Sequence, residues 1–204
     1  MILDAAARAS GIGYHKITKR CVPEDFSSYL AYYARTIDLS LVPIRPFDEM
    51  HGKVVEGLIF QSGRPLLIFS GGKADRLSSS FDHAAIAWDD SQQATRAVAD
   101  AMPFLQSAKT VRVFTASDTE TPTERESGGA LVKHLAAHGV KARFEAIPKG
   151  AVSIGKIFEA YAKTNAIDLL VMGTYRHSRL REFFMPGATY TVVGDPPCWV
   201  LMSH

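Results

Sequence analysis

At 204 residues with an apolar fraction of 47%, the chain is long enough for one large domain or two small ones, and ordinary enough in composition to pack a core. Its 23 basic and 21 acidic residues leave a formal charge of +2, too balanced for a surface that binds nucleic acid or an anionic membrane. No apolar run reaches the length of a transmembrane span, and MILDAAARASGIGYH lacks the basic start and apolar core of a secretory signal.

In chain order, Ala7-Arg8-Ala9-Ser10-Gly11 reads as a helix stopped by glycine. Gly11-Ile12-Gly13 has lysine where a dinucleotide fingerprint needs its third glycine, so it is a helix stop and no more. A strand from Gly13 to Val22 is predicted next, followed by a helix from Glu24 to Thr36 and a strand from Asp38 to Val42. A helix from Lys53 to Gln61 and a strand from Arg64 to Ser70 complete this stretch. Cys21 and Cys198 both stand in apolar, strand-like surroundings and are expected to be buried, reduced thiols. Ser70-Gly71-Gly72-Lys73-Ala74-Asp75 looks like the phosphate loop of ATP pyrophosphatases. Its acid is one place late and no helix follows, so it reads as a flexible joint.

A more regular stretch follows. Ala84 to Trp88 is a short buried strand, and Asp90-Ser91 can cap a helix from Gln92 to Ser107 whose Ala97, Val98, Ala101 and Leu105 share one face. A strand spans Val111 to Thr115. Thr121-Pro122-Thr123-Glu124 is a capping box with proline at the first helical position, and the helix it starts ends at Gly139. On that helix His134 and His138 stand one turn apart, where positive charge suits the helix end better than a metal does. A strand from Lys141 to Ile147, a helix capped by Ser153 and running to Thr164, and a strand from Asp168 to Met172 come next. A broken helix over Arg179–Val193 and a last strand, Trp199 to Met202, close the chain. Strands alternating with helices imply an α/β fold with a parallel sheet covered on both faces.

The chain also repeats itself at an offset of roughly 130 residues. Ala31 to Leu39 echoes Ala160 to Leu169, and Gly63 to Phe69 echoes Asp195 to Leu201. Residues 77–204 therefore read as one complete unit. Residues 1–76 read as a partial copy without the first strand, first helix and second strand.

The segment DLLVMGTYRHSRLREFFMPGATYTVVGDPPCWVLMSH, from Asp168 on, carries the most specific pattern. An apolar strand ends in Gly173, an Arg-rich turn follows, and Pro186-Gly187-Ala188-Thr189 precedes the last strand. This resembles the C-terminal signature of the universal stress protein family, Gly-x2-Gly-x9-Gly-Ser/Thr, with Gly173 as its first glycine. The resemblance covers residues 82–204 and, more faintly, 1–70. It implies a doubly wound, Rossmann-like five-stranded sheet of strand order 3-2-1-4-5 in residues 77–204. It further implies a cytoplasmic, non-enzymatic stress-response protein, requiring no cofactor, that forms a homodimer and engages neither nucleic acid nor membrane.

In that family the candidate ATP site would here comprise Asp89 near the ribose, Thr115, Gly173, the turn residues His177, Ser178 and Arg179, and the helix start Gly187, Ala188 and Thr189. The second and third glycines of the pattern fall on Arg176 and Pro186, and the Ser/Thr on Gly187. Arg176 brings bulk where phosphate would lie, and Pro186 has no amide to donate. Weak or absent ATP binding is therefore expected. The alternatives are an ATP-dependent switch of the same family and an ATP-using enzyme of the pyrophosphatase class. The enzyme would need a base and a magnesium carboxylate that the sequence near Gly173 does not offer. The two copies are expected to meet through their last strands, which would otherwise be bare apolar edges.

Overall fold

The computed structural model describes residues 2–46, 48–71, 80–117, 121–174 and 192–204. Helix α1, Ile2–Ala9, stops where Gly11 takes a left-handed φ of 63°. A 3-10 turn at Pro23–Asp25 leads into α2, Phe26–Ala34, and then β1, Ser40–Ile44. Helix α3, Glu49–Gln61, begins a turn before the predicted start. The Asp48 carboxylate caps it, accepting from the backbone N–H of Met50 and His51 at 2.9 and 3.3 Å. Strand β2 is Leu66–Ser70.

The later elements follow the sequence pattern within a residue or two. They are β3, His83–Ala87; α4, Gln92–Ser107; β4, Thr110–Ala116; α5, Pro122–Ala137; β5, Ala142–Ile147; α6, Ile154–Thr164; β6, Leu169–Gly173; and β7, Trp199–Ser203. The capping box of α5 forms in full: Thr121 Oγ1 accepts from Glu124 N–H (3.1 Å), while the Glu124 carboxylate accepts from Thr121 N–H (2.8 Å). Ser153 sits at the N-cap of α6 without a side-chain bond to the helix. The helix predicted over 179–193 lies outside the described residues but for its last two positions.

The seven strands among the described residues belong to one sheet of order β1-β2-β7-β6-β3-β4-β5. The five strands of residues 82–204 run parallel throughout, in the expected 3-2-1-4-5 order. β1 and β2 are parallel to each other, and the two halves join antiparallel, with Leu66 opposite Met202, Leu67 opposite Leu201 and Ile68 opposite Val200. The last strands thus pair with each other as expected, and neither leaves an apolar edge exposed. Side chains alternate across the sheet. Ile68, Ala85, Phe114, Leu170 and Val200 pack under α3 and α6, whereas Ile86, Val113, Val171 and Leu201 pack under α4 and α5.

Two expectations for the first half need correction. Residues 13–22 form no strand and lie exposed. Among the described residues no strand lies beyond β1 for this stretch to pair with. Backbone groups with no ladder to join stay in water. Cys21, on the same stretch, is accordingly only half-buried, while Cys198 is buried as expected.

β1 lies at the rim of the sheet. Ser40 N–H donates to Pro65 O of the β2 side, so alternation turns position 43 to the open side. Proline there has no N–H to leave bare.

Candidate functional site

The carboxyl ends of β3, β4 and β6 point to one edge, where a doubly wound sheet carries its ligand crevice. Ala87, Trp88 and Asp89 leave β3 there, Thr115 and Ala116 end β4, and Met172 and Gly173 end β6. Phe114 forms the floor, stacked on Tyr161 (ring centroids 4.2 Å apart) and edge-on to Phe158 (5.3 Å). Behind it the Tyr161 hydroxyl donates to Glu145, which Arg112 pairs at 3.4 Å. Burial, reinforced by that hydrogen bond, raises the Tyr161 pKa and keeps the phenol neutral.

The cleft among these residues holds about 70 Å³, against about 300–1,000 Å³ for ordinary ligand pockets.

Neither a protein-family model nor a curated protein matches the chain. Solved structures do. A universal stress protein from Archaeoglobus fulgidus superposes with a TM-score of 0.78 at 18% identity, over 99% of this chain and 74% of that one. The chain has the universal stress protein fold. A functionally unknown protein from Pseudomonas aeruginosa matches with a TM-score of 0.60 at 15% identity, over 99% of this chain and 75% of that one. A universal stress protein in complex with cAMP matches with a TM-score of 0.53 at 18% identity, over 62% of this chain and 98% of its own.

Within the universal stress protein fold, three of the nine candidate ATP-site residues lie in described positions, and the fold brings all three to the cleft. Asp89 Oδ1 accepts from Ser91 N–H (3.2 Å) and Ser91 Oγ (2.6 Å), while Ser91 Oγ accepts from Ala94 N–H (3.0 Å) to cap α4. The carboxylate that would face a ribose thus also braces the α4 start. Thr115 Oγ1 donates to Trp88 O at 2.7 Å, tying β4 to the exit of β3.

Gly173 packs against the first turn of α4. A Cβ built there would meet Ala94 N at 2.3 Å and Gln93 C at 2.5 Å. The missing side chain lets helix and strand approach closely on that side, a packing role that the phosphate motif alone did not suggest. His177, Ser178, Arg179, Gly187, Ala188 and Thr189, together with Arg176 and Pro186, lie outside the described residues.

The residues the sequence did not single out are Trp88 and its partners. Trp88 Nε1 donates to Ser127 Oγ (2.9 Å), and Ser127 Oγ donates to Asp90 Oδ1 (2.7 Å). Asp90 is held in a left-handed conformation, φ 58°. Asp90 and Ser127 stand 37 positions apart, so no local pattern could announce the pair. The Asp-Asp-Ser run reads locally as a cap, but only Asp89 and Ser91 serve one. Ser70, the first residue of the pyrophosphatase-like loop, ends β2 in a buried position, and most of that loop lies outside the described residues.

Proposed function

We propose that the chain is a non-enzymatic stress-response protein of the universal stress protein type, cytoplasmic and homodimeric, whose nucleotide site binds ATP weakly or not at all. In this reading residues 77–204 are a complete domain and residues 1–76 a partial one. The observation that carries it is the state of the carboxyl edge. The described part of the cleft is small, and its three candidate residues already serve the fold: Asp89 braces Ser91, the N-cap of α4, Thr115 ties down the β3 exit, and Gly173 makes room for α4. Arg176 and Pro186 stand where the family pattern has glycines that bring backbone amides to phosphate.

Calorimetry with Mg-ATP tests the reading. The wild type should bind weakly or not at all. The double variant Arg176→Gly/Pro186→Gly regains one amide donor and a close-approach backbone, and a charge-assisted hydrogen bond contributes roughly 1.5–3 kcal/mol. It should therefore gain at least about tenfold in affinity, which requires only about 1.4 kcal/mol. Low-micromolar binding by the wild type, with no gain in the variant, would make Arg176 a phosphate ligand and overturn the reading.

The second reading is a nucleotide-dependent switch. Its support is the cAMP complex of a protein with the same fold, so cAMP belongs in the same titration.

A further inference from the structure

Helices α4 and α5 cover the same face of the sheet without closing on each other. α4 packs chiefly on β6 and β7, and α5 on β5 and β4, with β3 between the two pairs. Between the helices lies a pocket of about 640 Å³. Small-molecule sites ordinarily hold roughly 300–1,000 Å³. Its floor is apolar and buried: Trp88 just past the end of β3, Val98 on α4 and Leu131 on α5. Ala99 and Ala130 line it from the two helices at exposed positions, where longer side chains would bridge the gap. The pocket shares only Trp88 with the crevice at the carboxyl edge, whose Phe114 and Phe158 belong to the core on the other side of the sheet.

The polar groups around the floor have spent their donors on the fold. Trp88 Nε1–H goes to Ser127 Oγ (2.9 Å), the Ser127 hydroxyl to Asp90 Oδ1 (2.7 Å), and the Thr95 hydroxyl to the backbone carbonyl of Ser91 (3.0 Å). An indole and a hydroxyl each have one hydrogen to give. What Ser127 and Thr95 still offer the pocket is lone pairs, and the carboxylates of Asp90 and Glu126 add more. Thr123 and His134 are the lining side chains that can still donate.

The charges point the same way. Asp90 and Glu126 line the pocket, whereas Arg96, Arg125 and Lys133, the arginines and lysine of the two helices, do not. Arg96 is held by Asp100 at 3.0 Å. The positive end of the α5 dipole is met by Glu124 of its own capping box.

We propose that this pocket is a second ligand site of the chain, and that it takes a small organic cation. The apolar body of the ligand lies on Trp88, Val98 and Leu131, and its ammonium or amidinium group donates to Asp90 and Glu126. A neutral apolar molecule would leave both carboxylates unused, and an anion would meet like charge at each. The site needs neither ATP at the carboxyl edge nor a dimer, so it stands or falls apart from the function proposed above.

The test uses the full chain and three probes with one apolar body and different heads: naphthylmethylammonium, naphthylmethanol and naphthylacetate. The chain has two tryptophans, so a proton–nitrogen NMR spectrum carries two indole signals, which a Trp199→Phe variant assigns. The ammonium probe should shift the Trp88 signal saturably and bind at least about tenfold more tightly than either analogue. Asp90→Asn combined with Glu126→Gln should abolish that preference. Asparagine can accept from Ser127 as aspartate does and suits the left-handed φ of 58° at position 90, so the fold is kept. Ala99→Phe, at an exposed position, should block the ammonium probe by filling the pocket.

No saturable shift of Trp88 with the ammonium probe in the millimolar range overturns the proposal. So does equal binding of the three probes, a preference that survives the loss of both carboxylates, or binding that ignores Ala99→Phe. A Trp88 signal that moves when the ligand-free protein is diluted would assign the pocket to a second copy of the chain, and overturn it as well.

Discussion

Gly173 carries no side chain because α4 leaves no room for one. The atoms a Cβ would strike, Ala94 N and Gln93 C, are backbone. They cannot swing aside as a side chain would. Gly173→Ala should therefore destabilise the ligand-free protein by about 1–3 kcal/mol, the usual cost of overpacking, read as a shift in the denaturant midpoint. A glycine kept only for phosphate contact would tolerate the methyl group without ligand, so an unchanged midpoint would return Gly173 to a purely ligand-facing role.

The two cysteines diverge for a related reason. Burial pushes the Cys198 thiol up to about 12, so at neutral pH it holds almost no thiolate. Cys21 is half-buried in the stretch 13–22, outside any helix or strand. A thiol reagent at neutral pH should label Cys21 well before Cys198, which should react only on unfolding; equal rates in the native protein would contradict the placement.

Among elements, α5 shows most directly how local sequence sets structure. Its capping box satisfies two backbone donors at the helix start. Thr121→Ala should cost about 1 kcal/mol, the usual value for a lost N-cap. The Glu124 carboxyl is held below its ordinary pKa, first by the Thr121 backbone N–H and then by the Thr121 hydroxyl. A carboxyl with a depressed folded pKa adds stability above its unfolded pKa and loses it as pH falls through the folded one. The stability gap between wild type and Thr121→Ala should therefore be full at neutral pH and shrink as pH drops below the ordinary glutamate value of about 4.3. Denaturation series at neutral and acidic pH measure it, and a gap that widens in acid would reverse the sign of the argument. The same element also has a tertiary constraint. A Cβ at Gly128 would fall 2.3 Å from the Phe144 ring, so α5 sits closer to β5 there than any side chain would allow.

At the scale of the molecule, the β2–β7 junction joins the two halves into one sheet. Leu66, Ile68, Val200 and Met202 share one core cluster across it, and Phe69 packs on Trp199 with ring centroids 4.4 Å apart. The two halves should accordingly unfold together. Trp199 reports the junction and far-UV circular dichroism the whole chain, so a Trp88→Phe variant should give coincident denaturation curves by fluorescence and dichroism. Separate midpoints would mean that the partial copy melts on its own.

Periodicity and caps alone placed β3 to β6 and the helices between them, because each rests on local signals: glycine at a helix end, Thr-Pro-Thr-Glu at a start, short apolar runs between. The bareness of two apolar last strands, together with the family resemblance, was enough to pair them. The stretch 13–22 has the letters of a strand, but a strand exists only when a neighbour supplies its hydrogen bonds, and no described strand lies beyond β1 to do so. At the site, the family resemblance named Asp89, Thr115 and Gly173, and the order of the strands brings them to one edge. What each does there depended on atoms remote in sequence: Trp88 O for Thr115, the first turn of α4 for Gly173, Ser127 for Asp90. Close packing assigns those partners, and a linear pattern with a reach of a few residues cannot encode contacts made across the sheet.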